Sequence, residues 1–379
     1  MSRFLIACGG TGGHLAPGIA LAEALRARGH DAKLFISSKR VDARLCEHYP
    51  QLSAVPVPSS PFGWRPDVHW RFHWRQAQGL GFSLRYIRRH RPDAIIGFGG
   101  FTSASVILAG WILGVPVALH EANRVPGKAV RLLSHLAQRL YLPPGVRLPG
   151  RRGLLVRHTG LPVRAEVARM PRDEARARLG ADAAQKLLVI MGGSQGSGAL
   201  NDWAEAELET LAHAGVQVWC VTGLDKGRAG VRELPTRHGG VVRAWFEPFT
   251  DRVGTLFSAA DLVVSRAGAG TLAELVRCET PAVLVPYPHA ADDHQRANAR
   301  YFEQQGGGLM IESGSLQLLR TEVLELVFND WLLNKFRENL HRMAQENTIE
   351  LLVQDLEQLA RREPPHRHLR HAPAGAPAA

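Results

Sequence analysis

The sequence predicts an α/β fold built from two tandem Rossmann-like units with parallel sheets. Short apolar runs alternate with helical stretches along the chain, which is typical of a parallel sheet covered by helices on both faces. An apolar strand followed by a glycine-rich turn and a helix occurs at the N-terminus and again from residue 186. With 379 residues, the chain is long enough for two or three domains with cores of their own.

The first unit begins with the apolar run Phe4 to Cys8, the turn GGTGGH at 9–14 and a helix from about Pro17 to Arg28. The apolar stretch 104–119 is interrupted by a glycine and a proline, so it predicts a buried helix and then a strand, not a membrane span of about 20 residues. The further strands predicted for this unit are 32–36, 94–96, 115–119 and 139–142.

The second unit begins with the strand Lys186 to Met191, the turn GGSQGSG at 192–198 and a helix at 201–212. Its further strands are predicted at 216–221, 240–244, 261–264 and 282–285. A Gly/Pro/Arg-rich stretch ends near Val163, so we expect an N-terminal domain of residues 1–163 and a C-terminal domain of residues 164–346. An amphipathic helix is predicted at about 347–362, and the Pro/Ala-rich residues 364–379 are predicted to form a disordered tail.

The charge of the chain is concentrated in its first part. Residues 1–163 carry a formal net charge of +15, whereas residues 164–379 carry −4. This asymmetry indicates an anionic partner for the first part, either a nucleic acid or a membrane surface, unless it reflects a generally Arg-rich composition.

The four cysteines are far apart and form no CxxC pair, which favours a reducing, cytoplasmic compartment over a disulfide framework or a structural zinc site. No secretory signal is expected, because the first apolar run is too short.

Four glycine-rich turns are predicted to follow strands, namely those at 9–14, 97–100, 192–198 and 265–274. Such a turn lets backbone N–H groups approach an anion at the positive end of a helix. None of them matches the P-loop pattern. NAD binding is not expected, because residues 37–40 read Ser-Ser-Lys-Arg where an acidic residue would hold the ribose; NADP is disfavoured less strongly.

The segment SRAGAGTLAE at 265–274 suits a nucleotide sugar. Its helix N-terminus could bind a diphosphate, and Glu274 could accept hydrogen bonds from both hydroxyls of a ribose, although it could also simply complement the helix dipole. In PYPHAADDHQRAN at 286–298, Gln295 could bind sugar hydroxyls. We expect no metal site, because the sequence contains no DxD pair.

These motifs together resemble the MurG family of N-acetylglucosamine transferases over about residues 3 to 360. The motifs that carry the resemblance are, in chain order, GGTGGH, HEAN (120–123) with PGKA behind it, GLPVR (160–164), GGSQGS, SRAGAGTLAE and DHQRANA (293–299). The resemblance implies a GT-B fold in which two Rossmann-like domains face a cleft and the last helix crosses back to the N-terminal domain.

The resemblance also implies an activity. MurG enzymes transfer N-acetylglucosamine from UDP-N-acetylglucosamine to undecaprenyl-diphosphate-linked N-acetylmuramoyl-pentapeptide, converting lipid I to lipid II in peptidoglycan synthesis. An alternative is another GT-B enzyme that uses UDP-sugars, such as a glycolipid synthase or a UDP-N-acetylglucosamine epimerase, and a further one is a basic nucleic-acid-binding protein.

Carried over by motif, the donor site would include loop residues on both sides of the cleft. These residues are Thr11, Gly12, Gly13, Asn123, Arg164, Ser194, Thr250, Ala269, Gly270, Thr271, Leu272, Ala273, Glu274 and Gln295. The chain departs from the family pattern at Leu161, where the family usually has Asn, and in the loop GGFTSAS, where the family usually has GGYxSGP. The second departure affects acceptor contacts at 101–105 rather than the donor site.

Forming a β(1→4) bond from an α-linked UDP-sugar inverts the anomeric centre, so the reaction needs a base and a stabiliser for the departing UDP. Helix N-termini, loop amides and Arg164 could supply the stabiliser, so we expect neither a metal nor another cofactor. His14 and Glu121 are the candidate bases, and the sequence does not decide between them.

The segment 69–91 interleaves aromatic and aliphatic residues with arginines, which favours docking on the anionic cytoplasmic face of the cell membrane as a peripheral protein. Core packing and RNA binding are the alternatives, and no nucleic-acid partner is expected. The residues expected to contact the membrane are Trp70, Phe72, Trp74, Phe82, Arg85, Arg88 and Arg89.

Overall fold

The computed structural model describes most of the chain. The described residues are 1–10, 12–60, 65–148, 153–193, 196–224, 226–227, 229–346 and 349–363. The tail predicted at 364–379 therefore lies outside the described residues.

The first sheet has seven parallel strands in the order β3-β2-β1-β4-β5-β6-β7. Its strands are β1 Arg3–Ala7, β2 Asp31–Ile36, β3 Ser53–Pro56, β4 Ala94–Gly97, β5 Val117–His120, β6 Arg139–Leu142 and β7 Leu155–His158. The helices that connect them are α1 Gly12–Ala27, α2 Arg40–Glu47, α3 Pro66–His90, α4 Gly100–Ile112 and α5 Lys128–Leu133, followed by a 3-10 turn at Ser134–Leu136.

The second sheet also has seven strands, in the order β10-β11-β9-β8-β12-β13-β14. Its strands are β8 Lys186–Met191, β9 Val216–Val221, β10 Gly230–Pro235, β11 Val241–Glu247, β12 Leu262–Ser265, β13 Ala282–Leu284 and β14 Gly308–Met310. Among the strands in the described part of the chain, only β10 pairs antiparallel, with β11, at the edge of the sheet. The accompanying helices are α6 Arg172–Leu179, α7 Gly198–Ala206, α8 Leu208–His213, α9 Val253–Ala259, α10 Ala269–Cys278, α11 His294–Gln304, α12 Leu316–Val327 and α13 Asp330–Glu346, with 3-10 turns at Ala291–Asp293 and Ser313–Ser315.

Each sheet has a hydrophobic core on both faces, which explains why its central strands are apolar without alternation. On one face of the first sheet, Leu15 and Ile19 of α1 pack with the strands. On the other face, Ile87 of α3 and Ile107 of α4 do so. The predicted α/β fold of two parallel sheets covered by helices is thereby confirmed.

The last helix, α14 (Ile349–Arg361), packs against the first sheet rather than the second. Its Leu352 and Leu356 are buried in the same cluster as α1. Its Asp355 accepts a hydrogen bond from the Tyr141 hydroxyl of β6 at 2.8 Å. A helix that follows the second sheet in the sequence therefore completes the core of the first sheet.

Two predicted helices differ from the structure. The helix predicted at 201–212 is wrong as a single element, because it is divided at Glu207 into α7 and α8. Helix α1 begins at Gly12, five residues before the predicted start at Pro17. The helix tolerates Pro17 in its second turn because the missing N–H removes only one backbone hydrogen bond. Among the described residues, no helix has both the length and the apolarity to cross a membrane.

Candidate functional site

The four glycine-rich turns lie at equivalent places in the two sheets. The turns at 9–14 and 97–100 follow β1 and β4, which are neighbours at the point where the strand order of the first sheet reverses. The turns at 192–198 and 265–270 follow β8 and β12, at the corresponding point of the second sheet. Open α/β sheets bind ligands outside the carboxyl ends of strands at such switch points.

The first glycine turn is held against the end of β2. A side chain at Gly9 would place its Cβ 2.0 Å from the Ser37 nitrogen, so only glycine fits. The Gly10 N–H donates to the buried Asp42 carboxylate at 2.7 Å, and the Lys39 ammonium donates to the Gly10 carbonyl at 2.7 Å. These contacts fix the turn that leads into α1. Thr11 lies outside the described residues, and Gly12 and Gly13 begin α1.

His14 lies in the first turn of α1 and packs on the second glycine turn. Gly100 has a φ of 74°, and a Cβ built on it would lie 3.2 Å from the His14 ring, so the backbone conformation and the close contact both favour glycine here. Burial lowers the pKa of His14, the Glu121 and Asp42 carboxylates oppose that shift, and His294 of α11 adds to it. A ring with a lowered pKa is neutral at neutral pH and can accept a proton.

Glu121, the other candidate base, shapes the loop after β5. Its Oε1 accepts from the backbone and side-chain nitrogens of Asn123, at 2.8 and 3.1 Å, and its Oε2 accepts from the Gly127 backbone at 2.7 Å. The adjacent His120 is buried between the Phe98 and Tyr141 rings, and burial lowers its pKa to about 4. Both Glu121 oxygens thus accept hydrogen bonds that hold the loop, whereas His14 lies in the first turn of α1 next to the second glycine turn.

Asn298 of α11 connects the strand-end loops of the two sheets. Its Nδ2 donates to Asn123 Oδ1 and to the Ala267 carbonyl, each at 3.1 Å, and its Oδ1 accepts from the Arg124 backbone at 2.9 Å. The Arg124 guanidinium also stacks on the Tyr301 ring at 3.7 Å. The motif DHQRANA contained Asn298, but its role was missed because its bonds to Asn123 and Arg124 join residues 175 and 174 positions apart.

The N-terminus of α10 carries the features of an anion site. Its N-cap, Gly268, makes no side-chain capping bond, and its first turn, which includes Ala269 and Gly270, contains no acidic residue. The Thr271 hydroxyl lies 4.0 Å from the Cβ position of Gly193, so the turns after β8 and β12 come together there. Free N–H groups and the positive helix end thus face a glycine-lined space. Ser194 lies outside the described residues.

Arg164 and Glu274 contact each other. Arg164 is buried, and its guanidinium lies 3.4 Å from Glu274 Oε1 and 2.8 Å from Glu166 Oε1. It also donates to the Tyr49 hydroxyl at 3.1 Å. Burial raises the pKa of Glu274, and the Arg164 charge opposes that rise. A carboxylate and a guanidinium, both partly withdrawn from water, therefore lie side by side next to α10.

Arg266, which follows β12, ties four segments of the second sheet together. Its Nε donates to Ser197 Oγ at 3.1 Å, and its Nη1 donates to the carbonyls of Val285 and Pro286 at 3.1 Å and to Ser313 Oγ at 2.8 Å. This arginine belongs to the motif SRAGAGTLAE, but the motif alone predicted no role for it. A charged residue directly before a glycine turn was the signal that could have identified it.

The remaining predicted donor residues lie around these groups. Thr250 is buried, and its hydroxyl accepts from the Arg252 backbone at 3.2 Å. Gln295 Oε1 accepts from the Tyr287 backbone at 2.9 Å, so the amide nitrogen is the part of this side chain that remains for a ligand. Leu272 and Ala273 line an apolar cavity of about 120 Å³ together with Leu161, which explains an apolar residue at that departure from the family pattern.

The residues expected to contact a membrane do not all share one face of α3. Trp70 and Trp74 are 73% and 58% exposed, and Arg85 and Arg88 fall on the same face at helical spacing. Arg89 is exposed on an adjacent face. Phe72 is half-buried and lines a groove. Phe82 packs 6.0 Å from the buried Phe35 ring, so it belongs to the core, and its assignment to the membrane surface does not fit the structure.

Comparison with known proteins gives a consistent result. The family model of the glycosyltransferase family 28 N-terminal domain matches residues 4–142. The model of the glycosyltransferase family 28 C-terminal domain matches residues 187–356. A protein of Opitutus terrae is 55% identical over 95% of this chain and 96% of its own length. One from Prochlorococcus marinus is 36% identical over 91% of this chain and 96% of its own length.

Both relatives are named UDP-N-acetylglucosamine:N-acetylmuramyl-(pentapeptide) pyrophosphoryl-undecaprenol N-acetylglucosamine transferase. Among solved structures, MurG of Acinetobacter baumannii superposes with a TM-score of 0.67 at 22% identity, covering 94% of this chain and all of the other. At that level of identity, the superposition shows that the two proteins share a fold. This fold is GT-B, in which the loops at the strand ends of one sheet face those of the other.

Proposed function

This chain belongs to the family of UDP-N-acetylglucosamine:N-acetylmuramyl-(pentapeptide) pyrophosphoryl-undecaprenol N-acetylglucosamine transferases, and from that premise we propose that it converts lipid I to lipid II. It is a hexosyltransferase of glycosyltransferase family 28. The observation that carries the proposal is that Asn298 joins the strand-end loops of the two sheets. The loop of the first sheet that carries the candidate base Glu121 therefore lies next to the start of α10 in the second.

The donor, UDP-N-acetylglucosamine, is assigned to the side of the second sheet. The free N–H groups at the start of α10 suit its diphosphate, and Glu274 suits the ribose hydroxyls. Arg164 would exchange part of its pairing with Glu274 and Glu166 for the diphosphate. The backbone at Thr250 would meet the uracil, and the Gln295 amide would meet the sugar.

The acceptor is assigned to the side of the first sheet, with His14 as the base. The acceptor 4-hydroxyl oxygen attacks C1 of the donor sugar while the bond from C1 to the β-phosphate oxygen breaks. The hydroxyl proton passes to the neutral His14 ring, and UDP leaves with the electron pair, inverting C1. The dipole of α10 and the Arg164 charge stabilise the departing diphosphate, and this scheme needs no metal.

The sheet of residues 3–158, completed by α14, would thus form the acceptor domain, and that of residues 186–310 the donor domain, with their boundary near Val163. Docking would use the outer face of α3, where Trp70 and Trp74 suit the headgroup boundary and Arg85 and Arg88 suit anionic lipid. Arg89 would contribute from the adjacent face. We place the enzyme at the cytoplasmic face of the membrane, where both substrates meet.

The test is transfer by the purified chain from UDP-N-acetylglucosamine to a lipid I analogue. We expect stoichiometric release of UDP and formation of the disaccharide product, and no release of UDP without acceptor. Consumption of the donor without acceptor would instead indicate an epimerase. Absence of UDP release with both substrates present would contradict the proposal.

A further inference from the structure

An apolar groove of about 460 Å³ lies between α3, α4 and α5, outside the donor and base residues. Its volume is within the range of roughly 300–1,000 Å³ that is typical of ligand pockets. Its lining is almost entirely apolar. The lining residues that the argument uses are Gln76, Ala77, Ala104, Ser105, Leu108 and Leu132.

One end of the groove is polar and adjoins the start of α4. Gln76 Nε2 donates to the Phe101 carbonyl in the first turn of α4 at 2.9 Å. Ser105 Oγ is buried and has no hydrogen-bond partner among the described residues. The N-cap of α4, Gly99, makes no side-chain capping bond, so the helix presents free N–H groups beside this end.

The other end is apolar and opens outward. Ala104 and Leu108 line the groove at helical spacing, and the same stripe of α4 continues to the exposed Trp111 and Ile112. Leu132 of α5 lines the groove and is 72% exposed. The groove therefore runs from a helix N-terminus to an exposed apolar opening. These two ends match the anionic head and the apolar chain of an amphiphilic ligand.

We infer that this groove binds the first isoprene units of the acceptor's prenyl chain, next to its diphosphate; the inference rests on the proposed function. His14 packs on Gly100 at the start of α4, and Leu108 lies about 12 Å further along the helix at 1.5 Å per residue. That separation is comparable to one pyranose ring plus a diphosphate. A hydroxyl at His14 thus places the prenyl chain in the groove.

The groove adjoins the proposed membrane face of the same helix, because Ala77 lines the groove and follows Trp70 and Trp74 at helical spacing. At 100° per residue, Gln76 lies about 120–160° around α3 from Trp70 and Trp74, whereas Ala77 lies only about 20–60° from them, at the rim shared by the groove and the outer face. Bilayer lipid can contact the outer face while the groove holds the substrate chain. The groove then selects acceptors by their chain, in addition to the headgroup contacts.

The test compares two acceptors with the same headgroup, one with a two-isoprene chain and one with a chain of seven or more units, in mixed micelles. Ala77→Phe fills the groove from α3, away from the acceptor contacts expected at 101–105, and we expect it to raise the KM for the long-chain acceptor at least tenfold while changing the short-chain KM less than twofold. Ala27→Phe, the same change at an exposed position of α1, should leave both values unchanged.

Leu132→Ser is a second groove variant, included in case the first variant does not fold. It should not disturb folding, because Leu132 is exposed at the opening of the groove. It should raise the long-chain KM about threefold to tenfold, and a prenyl chain with a photoreactive group should crosslink to α4 or α5. Equal KM values for both chains in both groove variants, or crosslinks confined to Trp70 and Trp74, would overturn the inference. Absence of transfer to the short-chain acceptor by the unaltered protein would contradict the proposed function instead.

Discussion

Replacing Glu274 by Gln tests whether this carboxylate holds the donor ribose. The side chain is 15% exposed and lies 3.4 Å from Arg164. Gln keeps the volume and one acceptor oxygen, so we count the loss of one charge-assisted hydrogen bond to a ribose hydroxyl, about 2 kcal/mol. That value corresponds to a rise in the donor KM of about 30-fold. Arg164 keeps Glu166 at 2.8 Å and Tyr49 at 3.1 Å, so the free energy of unfolding should fall by less than about 1 kcal/mol.

The assay is steady-state transfer with the donor varied at saturating acceptor, together with thermal unfolding of each variant. Glu166→Gln is the matched control, because Glu166 pairs with the same arginine from an exposed position. Its donor KM should change less than threefold. A Glu274→Gln enzyme whose donor KM stays within twofold of the unaltered value would refute the reasoning. Equal increases for the two variants would show that the effect acts through Arg164 and not through the ribose.

Three further outcomes are expected. His14→Ala should lower kcat about 10²- to 10⁴-fold with an unchanged donor KM and remove the acidic limb of the kcat–pH profile, a limb that burial places below the usual histidine range; an unchanged limb would exclude His14 as the base. Replacing Trp70 and Trp74 by Ser should reduce cosedimentation with anionic vesicles more than transfer to a micellar acceptor, and equal vesicle binding would remove the outer face of α3 from docking. Glu357→Gln should lower stability by about 1–2 kcal/mol at pH 7, because Arg28 lowers the pKa of this carboxyl in the folded chain. A carboxyl with a lowered folded pKa stabilises the fold above its unfolded pKa of about 4.3 and loses that contribution as the pH falls through the folded value, so unfolding curves of the two proteins should converge in acid; a constant difference would contradict the linkage.

Patterns that depend on neighbouring residues were readable from the sequence. The strands 139–142, 186–191 and 216–221 were predicted with their observed bounds, because each is an apolar run between turn residues. The edge strands β3, β7, β10 and β14 were not predicted. They are short, and the six residues of β10 are nearly all exposed, so pairing with a neighbour rather than an apolar pattern defines them.

The site was predicted in part for the same reason. The glycine turns and the start of α10 are local features, and the sequence identified all of them. The sequence left His14 and Glu121 as equal candidates, since either residue type can accept a proton. Our preference for His14 remains a proposal, and it rests on a tertiary observation: both Glu121 oxygens accept hydrogen bonds from the backbone of their own loop.

By itself, the sequence determined the two α/β units, the four glycine-rich turns that follow strands, the concentration of positive charge before residue 163 and the family of the chain. These properties follow from residue order and local spacing. Only the tertiary structure decided that Asn298 joins the two halves, that Arg266 fixes four segments, that Phe82 belongs to the core and that a groove lies beside α4. Each of these depends on contacts between residues distant in sequence, and the chain specifies such contacts only through the packing of its folded elements.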